Sequence, residues 1–160
     1  MPEEYDFLTE YAGLDCLLRI WDTKGHEEWN SHRPVAYNDA DVFVVCFDLS
    51  DRRSLECAGK RWKKELNDLG PRNVPKVLVG CKKDKRDHMI LEGDKGEKKS
   101  AVTAEQGQEY CDKNKFFGYV ECSVTENLST NSVYYQRKYD PTEDEDENLD
   151  KVFQEAIHAV

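Results

Sequence analysis

The run Val42 to Phe47, VFVVCF, constrains the fold more than any other stretch: it is unbroken, apolar and mostly β-branched or aromatic. A strand with one wet face alternates, so an unbroken run predicts a strand covered on both faces, as in parallel sheets. Ser50 or Asp51 can then cap a helix whose Leu55, Trp62, Leu66 and Leu69 fall on one face, and Gly70-Pro71 ends it. Val74 to Val79, VPKVLV, begins a second such unit, followed by GCKKDKRD and a charged loop through Ser100. Thr103 with Gln106 has the spacing of a capping box, opening a helix that Lys113-Asn114 closes. Phe116 to Cys122 supplies another buried strand. Leu149, Val152, Phe153, Ala156, Ile157 and Val160 then repeat at helical spacing. Alternating strands and helices predict an α/β fold with a mostly parallel sheet.

Ahead of these units, Tyr5 to Tyr11 and Cys16 to Trp21 read as a hairpin turning through Ala12-Gly13-Leu14-Asp15. The second run continues into LLRIWDTKGHE, Leu17 to Glu27, which sets Asp22 at the end of a strand. Open α/β sheets bind ligands there. A carboxylate at that place suits magnesium or a magnesium-bound phosphate. Gly25 leaves its backbone N–H open to an anion, although Asp and Gly at strand ends also serve as plain turn formers. The following HEEWNSHRPVAYNDAD has no clear period and reads as a mobile loop or broken helix. Ser129 to Glu147 holds Tyr134, Tyr135 and Tyr139 and then six acids from Asp140 onward, the pattern of a solvated loop.

At 160 residues the chain is expected to form a single domain, 1–160, with an acidic insertion at 129–147. No apolar run approaches the roughly 18 residues of a spanning helix, and the acidic MPEEYDF is not a secretory signal. Six dispersed cysteines without a CxxC pair fit reduced core thiols and a cytoplasmic location. The chain closes on Val160 with no basic tail or CaaX cysteine, so no lipid anchor or stable membrane insertion is expected. A net charge of −10 disfavours nucleic acid and anionic membrane as partners.

Three strand-end turns, taken in order, resemble one family. WDTKGHE looks like the WDTAGQE of small GTPases, VGCKKD resembles their VGNKxD, and YVECSV resembles their ECSA turn. HRPVAYNDADVFVVCFDLSDRRSLE and the closing VFQEAIHAV resemble the Rho/Rac branch in particular. The resemblance implies a Ras-like three-layer fold of the P-loop NTPase type, with a mixed, mostly parallel sheet. It implies GTP or GDP and magnesium in the family, and regulators or effectors of Rho type as partners. For nucleotide binding it points to Asp22, Gly25, Cys81, Lys82, Asp84, Ser123 and Val124, with Asp22 an indirect magnesium contact. His26 stands at the water-orienting Gln as a degenerate catalytic position. Trp29, Val35 and Tyr37, in the loop Glu27 to Tyr37, are the expected partner contacts.

The departures bear on function. No GxxxxGK(S/T) occurs in the 160 residues, nor is the family's switch threonine matched. If about five charge-assisted hydrogen bonds are lost at roughly 1.5 to 3 kcal/mol each, the loss is about 8 to 15 kcal/mol. At about 1.4 kcal/mol per tenfold, affinity falls by some five to ten decades. Cys81 replaces an Asn that supplies a donor and an acceptor, Thr125 a stacking Lys, and Lys24 a small residue beside the γ-phosphate. The expectation is a pseudo-GTPase or regulator-binding module with little GTP binding and no bound cofactor. The alternatives are a truncated form of an active GTP-hydrolysing switch, discriminated by the coding sequence upstream of Met1, and an unrelated flavodoxin-like protein. The resemblance also sets one further strand between Cys16–Trp21 and Val42–Phe47. Without it those two strands must pair directly or accept a strand from another chain, which predicts marginal stability and edge association.

Overall fold

The computed structural model describes residues 3–26, 28, 30–123 and 147–160. Strands β1 (Glu3–Tyr11) and β2 (Leu14–Asp22) form an antiparallel hairpin, in register from Glu3 opposite Asp22 to Tyr11 opposite Leu14. Its reversal uses only Ala12 and Gly13, with φ of 52° and 80°. Two left-handed residues make the turn whose twist matches that of the strands, so the strands run longer and the turn shorter than the expected four residues.

Strands β3 (Phe43–Asp48), β4 (Lys76–Cys81) and β5 (Gly118–Glu121) form a second, parallel sheet in that order. Between β3 and β4 a helix runs as α1 (Arg52–Cys57), a π-helical stretch Ala58–Lys63, and α2 (Lys64–Leu69). Asp51 caps it by accepting from the Arg53 N–H, and Gly70 closes it. Between β4 and β5 come α3 (Lys83–Glu92), α4 (Lys95–Ser100) and α5 (Ala104–Lys113). The Thr103–Gln106 capping box opens α5 in both its bonds. Helix α6 (Glu147–His158) packs on β5 and β4.

The parallel sheet is thus the middle of three layers. On one face Phe43, Val45, Phe47 and Leu78 meet Leu55, Ala58 and Leu66 of the first helix and Cys111 of α5. On the other, Val77, Val79 and Cys122 meet Val152 of α6. Gly107 gives Tyr119 its place on the first face, since a Cβ there would lie 2.2 Å from the tyrosine ring. Tyr119 then stacks on Phe47 with ring centroids 6.3 Å apart.

Several expectations change. The run VFVVCF is not covered on both faces: Val44 is 43% exposed and Cys46 is open to water, because among the described residues β3 pairs only with β4 and α6 lies over β4 and β5. Leu69, expected on the buried helix face, is exposed at the C-terminus of α2. Val160, last in the α6 pattern, is exposed beyond its end. The charged stretch through Ser100 is helical for most of its length, its Lys, Glu, Met and Leu being good helix formers that need no apolar stripe. Of the cysteines, Cys46 and Cys57 are exposed and only Cys111 and Cys122 buried. Among the described residues the strands form two sheets, one antiparallel and one parallel, and β2 does not pair with β3. The acidic insertion lies almost wholly outside the described residues.

Candidate functional site

The sequence-derived site residues gather at two places. The first is the turn after β2, where Asp22, Gly25 and His26 are all exposed. Gly25 packs near Trp62, where an added Cβ would meet the indole at an ordinary 3.6 Å.

What fixes this turn is a residue the sequence reading did not single out. Arg33 is 2% exposed. Its Nε and Nη2 donate to the two carboxylate oxygens of Glu65 on α2, at 2.9 and 2.8 Å. Its Nη1 donates to the carbonyls of Lys24 and His26 at 3.2 and 3.0 Å, and Nη2 also donates to Asn30. Trp62 lies 5.0 Å beneath the guanidinium. A planar five-donor fork is the one side chain able to bind a carboxylate bidentately and two carbonyls at once. The bond from Arg33 holds the Glu65 carboxyl below its ordinary range, outweighing burial.

Local sequence explains how Arg33 reaches this place. Residues Arg33–Tyr37 form a 3-10 helix with Pro34 in its first turn, a position that needs no N–H donor. The turn puts Tyr37 on the same side as Arg33, and the Tyr37 hydroxyl donates to Glu65 at 2.7 Å. Tyr37 is 5% exposed and packs edge-on against Phe43, with centroids 5.5 Å apart. Burial first, and the bond to Glu65 second, push its hydroxyl up to about 12. The expected mobile loop is therefore ordered over this stretch. Tyr37, expected at a partner surface, is instead a core residue, whereas Val35 is 71% exposed. Trp29 lies outside the described residues.

The second place is the C-terminal edge of the parallel sheet. Cys81 ends β4, and Lys82 takes a left-handed conformation with φ 61° before α3 begins. Lys82 Nζ bonds Asp48 Oδ2 of β3 at 2.7 Å. Asp84, in the first turn of α3, accepts from the Ser123 hydroxyl. Val124 lies outside the described residues. Under this edge sits a second buried arginine the sequence reading missed. Arg86 donates to the Val102 carbonyl at 2.9 Å and to both Glu121 oxygens at 3.1 and 2.8 Å. The only sequence signal for either arginine was an otherwise unexplained cation next to a strand end or proline.

The turn after β2 and the ends of β4 and β5 thus carry, in chain order, the three motifs that resemble those of small GTPases. The Ras family profile matches residues 3–140. The chain belongs to the Ras family.

Around the matched motifs the side chains are already engaged with one another. The 160 residues contain no phosphate loop, and no group of three His, Cys, Asp or Glu able to hold a metal occurs among the described residues. Cys81 accepts from the Cys122 thiol at 4.0 Å, and Lys82 is ion-paired to Asp48. The Asp84 carboxylate is held by the Ser123 hydroxyl. No helix among the described residues is long and apolar enough to cross a membrane.

Proposed function

We propose that this chain is a Rho-type, small-GTPase-like signalling module that binds regulators or effectors and has little or no GTP binding of its own. The observation that carries the reading is the Arg33 clamp. The carbonyls of Lys24 and His26 are tied through Arg33 to Glu65, two sides of one buried ion pair. A turn that must answer to a γ-phosphate needs two arrangements of similar free energy. Moving the turn would break two hydrogen bonds from a charged donor, about 1.5 to 3 kcal/mol each, so the clamped arrangement is preferred with no nucleotide. Cys81 and Lys24 at the matched positions support the same reading, and His26 is a poor substitute for a water-orienting amide. Partners then meet one fixed surface, on which Val35 is exposed and Trp29 is the expected aromatic anchor.

Titration of the purified chain with fluorescent GTP in magnesium is expected to give no saturable binding at micromolar concentration. Saturation there would overturn the reading in favour of an active switch, which the Asp84–Ser123 pair retains half the means to be. Replacing Trp29 and Val35 by Ala should abolish binding to a Rho-type regulator or effector domain, and unchanged binding would remove the partner surface from the proposal. Tyr37→Ala is the wrong probe, because it opens the core.

A further inference from the structure

The N-terminal end of the parallel sheet brings lysines together from three elements. Lys76 begins β4, opposite Phe43 of β3, and its carbonyl accepts from the Phe117 N–H at 2.8 Å. Side chains two apart along a strand share a face, so Lys76 lies on the side of Leu78, under the first helix. Its ammonium stands 5.7 Å from the centre of the Phe43 ring and donates to the Val74 carbonyl at 3.0 Å. Lys63 reaches the same end from the helix above, at the close of the π-helical stretch. Its ammonium donates to the Lys115 carbonyl at 3.2 Å and stands 4.9 Å from the centre of the Phe116 ring. Residues 115–117, leading into β5, therefore touch both lysines.

These are not ordinary surface lysines. Lys63 and Lys76 are half-buried, with their ammoniums over aromatic rings. Among the described residues no carboxylate pairs with Lys63, Lys76 or Lys115, although the chain carries 33 acids and a net charge of −10. Lys115 is exposed and holds a φ of 55°, a left-handed conformation that an L side chain adopts only at a cost. Burial first, then the charges of Lys76 and Lys115, hold the Lys63 amine below its ordinary range. The fold thus keeps three mutually repelling cations together without neutralising them. An anion seated among them replaces that repulsion with attraction.

We propose that Lys63, Lys76 and Lys115 form a binding site for a small soluble anion bearing two or more phosphate groups. Lysine binds phosphate oxygens as a point charge with rotatable donors. One phosphate group carries about −1.5 to −2 at neutral pH, less than three ammoniums can balance, so the cluster fits a polyphosphate better than a single phosphate. An anionic membrane is the poorer match, because the rest of this acidic chain is repelled by it. Strand β4 runs from Lys76 to Cys81, so the site lies at the opposite end of the sheet from the turn that carries Lys82 and Asp84. It therefore stands or falls independently of the proposed function.

The probe is inorganic pyrophosphate, titrated at constant ionic strength into the isotope-labelled full chain while amide shifts are recorded. Saturable shifts centred on Lys63, Lys76 and residues 115–117 are expected. Lys63→Gln combined with Lys76→Gln should weaken binding by about tenfold or more, since two charge-assisted bonds are lost. Lys98→Gln with Lys99→Gln, both exposed on α4, should leave it unchanged. Lys115→Gly guards against a variant that fails to fold, because glycine takes a positive φ freely. Its melting temperature should hold or rise while its affinity for pyrophosphate drops severalfold. Shifts that do not saturate, that spread equally over the α4 lysines, or that centre on the turn carrying Lys82 and Asp84 would overturn the proposal. So would unchanged affinity in Lys115→Gly and in the double variant. Cosedimentation with phosphoinositide vesicles, lost in the same variants, would overturn the assignment to a soluble anion.

Discussion

The two sheets both carry apolar strands, yet they bury them in opposite ways. In β4, Val77 and Leu78 are fully buried and Val79 nearly so, because β4 has a strand on each side and helices over both faces. In the hairpin, Leu8 is 77% exposed, Leu14 69%, Leu17 58% and Trp21 44%. Among the described residues, Phe7 stacks on Phe153 of α6 at 6.3 Å, and the Tyr11 hydroxyl meets His158 at 3.0 Å. The lesson is that apolar content does not itself make a core. A strand becomes core when its neighbours on both edges and both faces are in place, and the hairpin instead relies on its own ladder, on Arg19 bridging Glu4 and Asp6, and on its turn.

Arg33 is the joint between the two regions, since it binds the carbonyls at the end of the hairpin and the carboxylate on α2. The largest expected effect is therefore from Arg33→Ala, a loss of about 3 to 5 kcal/mol, because Glu65 is left charged, half-buried and unpaired. Arg33→Lys should recover little, as an ammonium cannot serve a carboxylate bidentately and two carbonyls besides. Urea melts measure both. A loss below about 1 kcal/mol would mean that the joint is ornamental and the turn free to move.

One substitution made in both sheets sharpens the comparison directly. Leu78→Ala should cost about 2 to 5 kcal/mol, by lost transfer energy and a cavity between two packed layers. Leu8→Ala should stay within about 0.5 kcal/mol. Equal losses would show that the hairpin is covered in solution, for which its exposed leucines and the unpaired edge of β3 are the obvious surfaces. Static light scattering over a concentration series would then reveal association.

A smaller effect is read in the parallel-sheet region by pH. The Glu65 carboxyl is held low by Arg33. Asp48 is raised by burial, but the bonds from Lys82 and Ser50 outweigh that and leave it lowered too. A carboxyl whose folded pKa lies below its unfolded value binds protons more readily when unfolded. It therefore contributes stability above the unfolded values, about 4.3 for Glu and 3.9 for Asp, and that stability is lost as pH falls through the folded pKa. Melting temperature should fall on acidification below about pH 4, and Glu65→Gln should be less acid-sensitive while being less stable at neutral pH. An unchanged acid slope in Glu65→Gln would remove Glu65 from the account.

How much of this was legible follows from how local each cause is. The hairpin, the Asp51 cap and the Thr103–Gln106 box were readable because each is fixed by residues near in sequence. The turns carrying Asp22, Cys81, Lys82, Asp84 and Ser123 were readable as family motifs. Arg33 with Glu65, 32 residues apart, and Arg86 with Glu121, 35 apart, were not. Periodicity treats an arginine as a surface residue, and only the fold supplies the carboxylate that lets it be buried. The same blindness made Tyr37 a candidate contact and Cys46 a core thiol. The first was misread because its partner Glu65 is distant, the second because a run of apolar letters does not say which strand is an edge.

The smallest effect tests whether the two regions melt as one. Ala12 occupies the left-handed region at φ 52°, which costs an alanine roughly 1 to 2 kcal/mol because its Cβ crowds the following carbonyl. Gly13, at φ 80°, already sits where glycine carries no such cost. Ala12→Asn makes the reversal Asn-Gly, whose first residue tolerates this conformation without the extra unfolded-state entropy of a second glycine. A gain of a few tenths to about 1 kcal/mol is expected. If the hairpin opens on its own, Ala12→Asn should slow amide exchange in β1 and β2 and leave β4 amides unchanged, since local opening carries its own free energy. If the gain shows equally in β4 exchange and in the global melt, the hairpin and the parallel sheet unfold as a single unit, and Arg33 couples them more tightly than their separate ladders suggest.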